Sequence, residues 1–228
     1  MSFPIFCENC GAPSTPSVGV CPYCKAVFQS AKIKENPTVT NIRSVFDEGD
    51  LPKALSLAAL AEKEKTELTK NPNFVILYVK ILIEVEAPSS KIRALLQKAQ
   101  MENGTNQEIT DYLEILIAKG NLKAGKGDAG EEELKNILRR SPKNAHAAFL
   151  LGSHLFWVEK DHQAGLIYLE KAVRHRPNFL RANACLASLY KQIGSEALAR
   201  KLFQKCISLE KDSSMKDFFK KLASCAPI

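Results

Sequence analysis

No long hydrophobic run occurs in this chain of 228 residues. Its most apolar segment, FVILYVKILIEV from Phe74 to Val85, is too short to span a bilayer and carries Lys80, so it predicts a buried helix. The opening MSFPIFCENC lacks the basic segment, apolar stretch and small-residue cleavage site of a secretory leader. Both absences point to a cytoplasmic protein with no membrane partner. Histidines are few, and His146, His154, His162 and His175 follow no metal-ligand spacing. No Ser/His/Asp arrangement suggests nucleophilic catalysis, and Glu131, Glu132 and Glu133 read as first-turn residues favoured by a helix dipole. The expectation is a protein that is not an enzyme.

One stretch imitates a phosphate-binding loop. GNLKAGKG, Gly120 to Gly127, satisfies G-x4-G-K, but Gly127 stands where Ser or Thr would bind magnesium. The loop also requires a preceding strand, and YLEILIAK before it is helical in pattern. These glycines are expected to join two helices.

Charge is uneven along the chain. Residues 1–142 carry 18 basic and 18 acidic side chains, whereas residues 143–228 carry 14 and 7, so the whole net charge of +7 lies in the C-terminal part. Such asymmetry suits an acidic peptide or nucleic acid, and equally a solvated Lys-rich helical surface.

Four of the seven cysteines fall within residues 7–24, as Cys7-x2-Cys10-x10-Cys21-x2-Cys24. Each C-x-x-C turn can present two thiolates, and two such turns complete a tetrahedral zinc site. The spacer GAPSTPSVGV is rich in Gly, Pro and Ser and can turn back without a core. A redox dithiol, suggested by Cys21-Pro22-Tyr23-Cys24, needs a βαβ frame that lowers the thiol pKa, and helical patterning follows instead. The reading favours one structural Zn2+ held by Cys7, Cys10, Cys21 and Cys24 over redox chemistry or another metal. This stretch resembles the zinc-ribbon family. The ribbon is expected over residues 1–30 and a polar linker over 31–40.

From Asn41 onward apolar residues recur at three- and four-residue spacing, the pattern of amphipathic helices. There is also internal repetition. NPNF at 71–74 returns as RPNF at 176–179, and Pro142 lies 70 residues after Pro72 and 35 before Pro177. LLQKAQ (95–100), YLEKAV (168–173) and LFQKCI (202–207) look like one helix repeated. On that alignment Cys206 takes the place of Ala172 and reads as a small core residue.

The units resemble tetratricopeptide repeats. Ala148, Leu151, Gly152, Leu155, Ala164 and Tyr168 match that family's pattern in one unit. Leu186, Ala187, Tyr190, Ala199 and Phe203 match in the next, with Asn183 in place of the family's Trp. The resemblance implies an all-α solenoid over 41–228, with helix pairs near 41–69, 73–100, 107–140, 144–175 and 178–209. A capping helix, SSMKDFFKKLASC, would follow. It also implies that the first helix of each pair lines an inner groove.

Helical spacing places His146, Phe149, Ser153 and Trp157 on one face of a first helix, and Arg181, Ser188 and Lys191 on one face of the next. Together they would offer aromatic anchors beside two cations, suited to a protein or peptide partner bearing an acidic or C-terminal carboxylate group. The same spacing fits burial of Phe149 and Trp157 between helices. The expected function is a non-enzymatic interaction adaptor or scaffold, with the ribbon as a structural or docking module. The alternative is a nucleic-acid-associated protein using the basic C-terminal half and the ribbon.

Overall fold

The computed structural model describes residues 5–6, 13–14, 38–64, 67–104 and 106–224. The cysteines at 7, 10, 21 and 24 lie outside the described residues, as does most of the segment read as a linker. Two short strands, β1 (Ile5–Phe6) and β2 (Pro13–Ser14), pair antiparallel with Ile5 opposite Ser14 and Phe6 opposite Pro13.

Everything else described is helical or connects helices. Five consecutive helix pairs and a final single helix occupy the positions expected from the repeats: α1 (Val39–Glu48) with α2 (Leu51–Lys63), α3 (Pro72–Glu84) with α4 (Ser89–Asn103), α5 (Gln107–Lys123) with α6 (Gly127–Arg140), α7 (Ala145–Trp157) with α8 (His162–His175), α9 (Leu180–Gln192) with α10 (Glu196–Leu209), and α11 (Ser213–Ser224). A short 3-10 turn, Glu67–Lys70, precedes α3. The chain divides into two compact units, residues 1–109 and 110–228.

In the first unit α1 begins at Val39, inside the segment read as linker, because the Thr38 hydroxyl accepts the Asn41 N–H at 3.1 Å and caps the helix there. Asp50 and Asn71 cap α2 and α3 in the same way, each with proline in the first turn that follows. The apolar segment at 74–83 forms the buried helix α3, with every residue from Phe74 to Val79 and from Ile81 to Ile83 covered. Burial of each large side chain of this kind contributes about 1.5–3 kcal/mol. Glu62 of α2 accepts the Tyr78 hydroxyl at 2.7 Å and pairs with Lys91 of α4 at 3.1 Å, tying three helices together.

In the second unit the helices start differently. Pro142 and Pro177 do not open α7 and α9; those helices start three residues later, at Ala145 and Leu180. Asn144 caps α7 through the Ala147 N–H at 3.1 Å. At the corresponding place before α9 the Phe179 N–H closes a turn on the Arg176 carbonyl. Asn183, standing where the family pattern has Trp, donates to the Pro177 and Phe179 carbonyls at 2.8 Å each. The shared Pro-Asn-Phe thus stands in two settings, one led by the Asn71 cap and the other by Arg176.

Gly152 of α7 and Gly165 of α8 let the two backbones meet. A Cβ on Gly152 would lie 2.9 Å from the Leu169 backbone nitrogen and 3.1 Å from the Gly165 carbonyl oxygen. Beyond them α9, α10 and α11 share a core of Ala187, Ala199, Phe203, Cys206 and Phe219. Cys206 is fully buried, as its alignment with Ala172 implies.

The glycines of GNLKAGKG do connect two helices. Gly125, at φ 74°, turns the chain from α5 into α6, and a helix precedes the loop where nucleotide binding would need a strand. The three glutamates at 131–133 lie in the second turn of α6; its first-turn acid is Asp128. The sequence pattern places them one turn early because the helix begins at Gly127, ahead of any apolar residue. No helix among the described residues is long and apolar enough to cross a membrane.

Candidate partner-binding site

The strip expected from helical spacing lies wholly in the second unit, on α7 and α9. Its residues divide into a buried half and an exposed half. His146 and Phe149 are buried, and they form an aromatic cluster with Tyr112 of α5 and Phe179 at the start of α9. The His146 ring stands 5.2 Å from the Phe179 ring, and the Phe149 ring 4.9 Å from it. The Tyr112 hydroxyl lies 3.0 Å from His146 Nδ1. Spacing alone leaves Phe149 open between groove and core; here it fills the space between α7 and α9.

The exposed half is different in character. Trp157, the last residue of α7, is 48% exposed despite being the chain's only tryptophan. Its ring leans on Phe156, centroids 4.2 Å apart, which limits its rotamers while leaving an open face. Its side chain lies near the Cys185 thiol on α9. Burial pushes the Cys185 thiol up to about 11, partly opposed by that contact and by the charge of Arg181. Arg181 is half-buried, its guanidinium 5.1 Å from the Phe149 ring centroid.

Ser153 and Ser188 are also half-buried. Their hydroxyls donate within their own helices, to the Leu150 and Ala184 carbonyls at 3.0 Å each. Lys191 lies in the last turn of α9, where a cation complements the helix dipole. The structure therefore seats Arg181 over Phe149, packs Phe149 and His146 against Phe179, and leaves Trp157 exposed at the end of α7. Helical spacing alone does not single out Cys185 and Phe179 for this surface. The available signal is their position near strip members, Cys185 four residues after Arg181 and Phe179 two before it.

A second concave feature lies in the first unit, a cavity of about 320 Å³ lined by Glu62, Phe74, Tyr78, Leu95, Lys98 and Glu102. Its main polar groups satisfy one another. Burial, and then the hydrogen bond to the Glu62 carboxylate, hold the Tyr78 phenol far above its ordinary range, so it stays a donor.

No family model matches this chain, and no curated protein matches it. Among solved structures it is similar to the crystal structure of MamA, at 17% identity over 76% of this chain and 96% of that one, with a TM-score of 0.42. It is also similar to TTC0263, described as a thermophilic TPR protein in Thermus thermophilus, at 14% identity over 81% and 96% of the two chains and a TM-score of 0.48. YrrB, described as a TPR protein with an unusual peptide-binding site, gives 14% identity over 80% and 90% and a TM-score of 0.43. At these values the likeness is weak, and the functional reading rests on this chain's own residues.

Proposed function

We propose that the protein is a non-enzymatic interaction adaptor of tetratricopeptide-like construction. Its α7–α9 strip takes a peptide or protein segment bearing an acidic or C-terminal carboxylate group. One observation carries the reading: an open indole, Trp157, sits on the same pair of helices as Arg181, whose guanidinium is pre-oriented over Phe149. An exposed tryptophan and a fixed arginine are residue types that anchor interfaces, the ring supplying apolar contact and the guanidinium paired donors. The experiment uses Trp157 as its own reporter. Full-length protein is titrated with arrayed acidic peptides and their amide-capped, neutral counterparts, and indole emission is followed. Acidic peptides that shift the emission, with the shift lost in Arg181→Glu, would support the strip. Equal response to both peptide sets would remove it.

We further propose that Cys7, Cys10, Cys21 and Cys24 hold one structural Zn2+ in a ribbon that docks or steadies the adaptor. The support is their spacing. Metal analysis of the full chain, with zinc release by a thiol-specific mercurial, tests it; release in the absence of thiol modification would count against four-cysteine ligation.

A further inference from the structure

His154 stands in the third turn of α7, and its side chain is only 7% exposed. Its Nε2 is buried and makes no hydrogen bond. Two carboxylates nevertheless converge on that nitrogen: Glu159 Oε1 at 3.3 Å and Glu131 Oε1 at 3.7 Å. The three donor atoms lie within 4.8 Å of one another.

Around a tetrahedral zinc ion with bonds of about 2.1 Å, donor atoms sit about 3.4 Å apart. The two separations at Nε2 bracket that value. A buried donor that bonds to neither neighbour, with both neighbours at the spacing of a shared ion, is the arrangement expected of ligands. It is a poor arrangement for a direct ion pair, which would align the N–H with one oxygen.

The elements around the three donors favour the same site. Glu131 is oriented from behind, its other oxygen held by Lys135 Nζ at 2.7 Å. Glu159 is folded back over the end of α7 by two bonds to the His154 carbonyl, from the Val158 N–H at 2.8 Å and the Glu159 N–H at 3.3 Å. Lys160, at φ 59°, completes that turn. The space beside the donors exists because residue 127 is glycine. A Cβ there would lie 3.3 Å from His154 Nε2 and 3.6 Å from Glu159 Oε1. Gly127 lies in a helix and its φ is not in the left-handed region, so backbone geometry does not require glycine.

We propose that Glu131, His154 and Glu159 form a second metal site, independent of the cysteine cluster and of the α7–α9 strip, that takes a divalent transition-metal ion of the zinc class. One imidazole with two carboxylates suits such an ion, whereas calcium and magnesium prefer all-oxygen shells. The two carboxylates and a neutral imidazole balance its charge, and a coordination position remains for water or for a donor from a partner. Bound there, the ion fastens the first turns of α6 to the end of α7, next to Trp157.

The test uses the full chain carrying whatever zinc its cysteines retain, with Co2+ alone as the probe. Cobalt on imidazole and carboxylate gives weak visible bands without the strong near-ultraviolet charge transfer of thiolate ligation, so the two sites are told apart in one spectrum. The expected result is uptake of one further Co2+ with the thiolate-free signature, weakened about tenfold or more by Glu159→Gln. Gly127→Ala keeps all three donors and is expected to weaken uptake similarly by filling the ion's space. Both variants lie at an exposed turn and a helix start, and helical content by circular dichroism confirms that each remains folded. No thiolate-free uptake by the parent, or uptake unchanged in both variants, would overturn the proposal. So would an imidazole NMR signal for His154 that ignores added Zn2+.

Discussion

The guanidinium of Arg181 lies over the ring of Phe149, 5.1 Å from its centroid, and that ring in turn leans on Phe179 at 4.9 Å. The charge is thereby fixed on a rigid aromatic base shared by α7 and α9. Arg181→Glu removes this contact at a cost of about 0.5–1 kcal/mol and places repulsion where an acidic group would dock. The expected outcome is a loss of about tenfold or more in affinity for an acidic peptide, with far-ultraviolet circular dichroism unchanged. Arg181→Lys keeps the charge but loses the planar fork, and is expected to fall between the two. Titrations followed through Trp157 emission check the series.

The contact between α7 and α8 gives a prediction about stability. An added methyl at Gly152 would meet Leu169 and the Gly165 carbonyl inside contact distance, two of those atoms belonging to backbone that cannot swing aside. Gly152→Ala is expected to cost about 1–3 kcal/mol as the helices are forced apart. Gly120, inside α5, has nothing within 4 Å of its would-be Cβ. Gly120→Ala is expected to gain about 0.5–1 kcal/mol from helix propensity. Urea melts of the two variants should therefore move in opposite directions from the parent.

Much of this helical layout is legible in the sequence because the repeated residues report the contacts between paired helices. Gly152, Ala187, Ala199 and Phe203 lie at those contacts, and their small–large alternation is a direct imprint of helix packing. The start points of α7 and α9 are less legible. Proline marks a chain that is not yet helical as readily as a first helical residue, and only the capping side chain decides which. Spacing does not sort the strip residues into buried and exposed. His146 and Trp157 share a face of α7, but only His146 has Tyr112 and Phe179 against it. The His154 site is illegible for a further reason. Its ligands come from α6, from α7 and from the turn beyond, so no short motif contains all three.

Cys185 and Cys206 are expected to behave as core atoms, not as reactive thiols. Burial pushes Cys185 up to about 11 and Cys206 up to about 12 from an ordinary 9.0. Below the unfolded value both states hold the proton, and the stability these thiols contribute is fully present. Above about pH 9 the unfolded chain ionises first, and stability falls as pH rises toward the folded values. At pH 8 iodoacetamide should leave both residues unmodified in the native protein and label both after urea is added. Mass mapping of the alkylated peptides decides it; native labelling of either residue would contradict the buried assignment.

Asp212 contributes to the acid side of stability at α11. Its Oδ1 accepts the Ser214 and Met215 N–H groups at 2.8 and 3.1 Å, together with the Ser214 hydroxyl. The Ser214 hydroxyl, then the backbone donors, lower its pKa from the ordinary 3.8. Because the folded value lies below the unfolded one, the contribution is fully present above about pH 4 and is lost as pH falls through the lowered folded value. α11 carries Phe219 onto Phe203, so loss of the cap loosens the last helix first. Asp212→Ala is expected to cost about 1 kcal/mol at neutral pH. Asp212→Asn keeps an acceptor without an ionisable group, so it should be nearly as stable at pH 7 while the acid-dependent loss at α11 is reduced. Hydrogen exchange of the α11 amides at pH 7 and pH 3 reads this directly. Parent and Asp212→Asn losing α11 protection to the same extent on acidification would show that another group controls the transition.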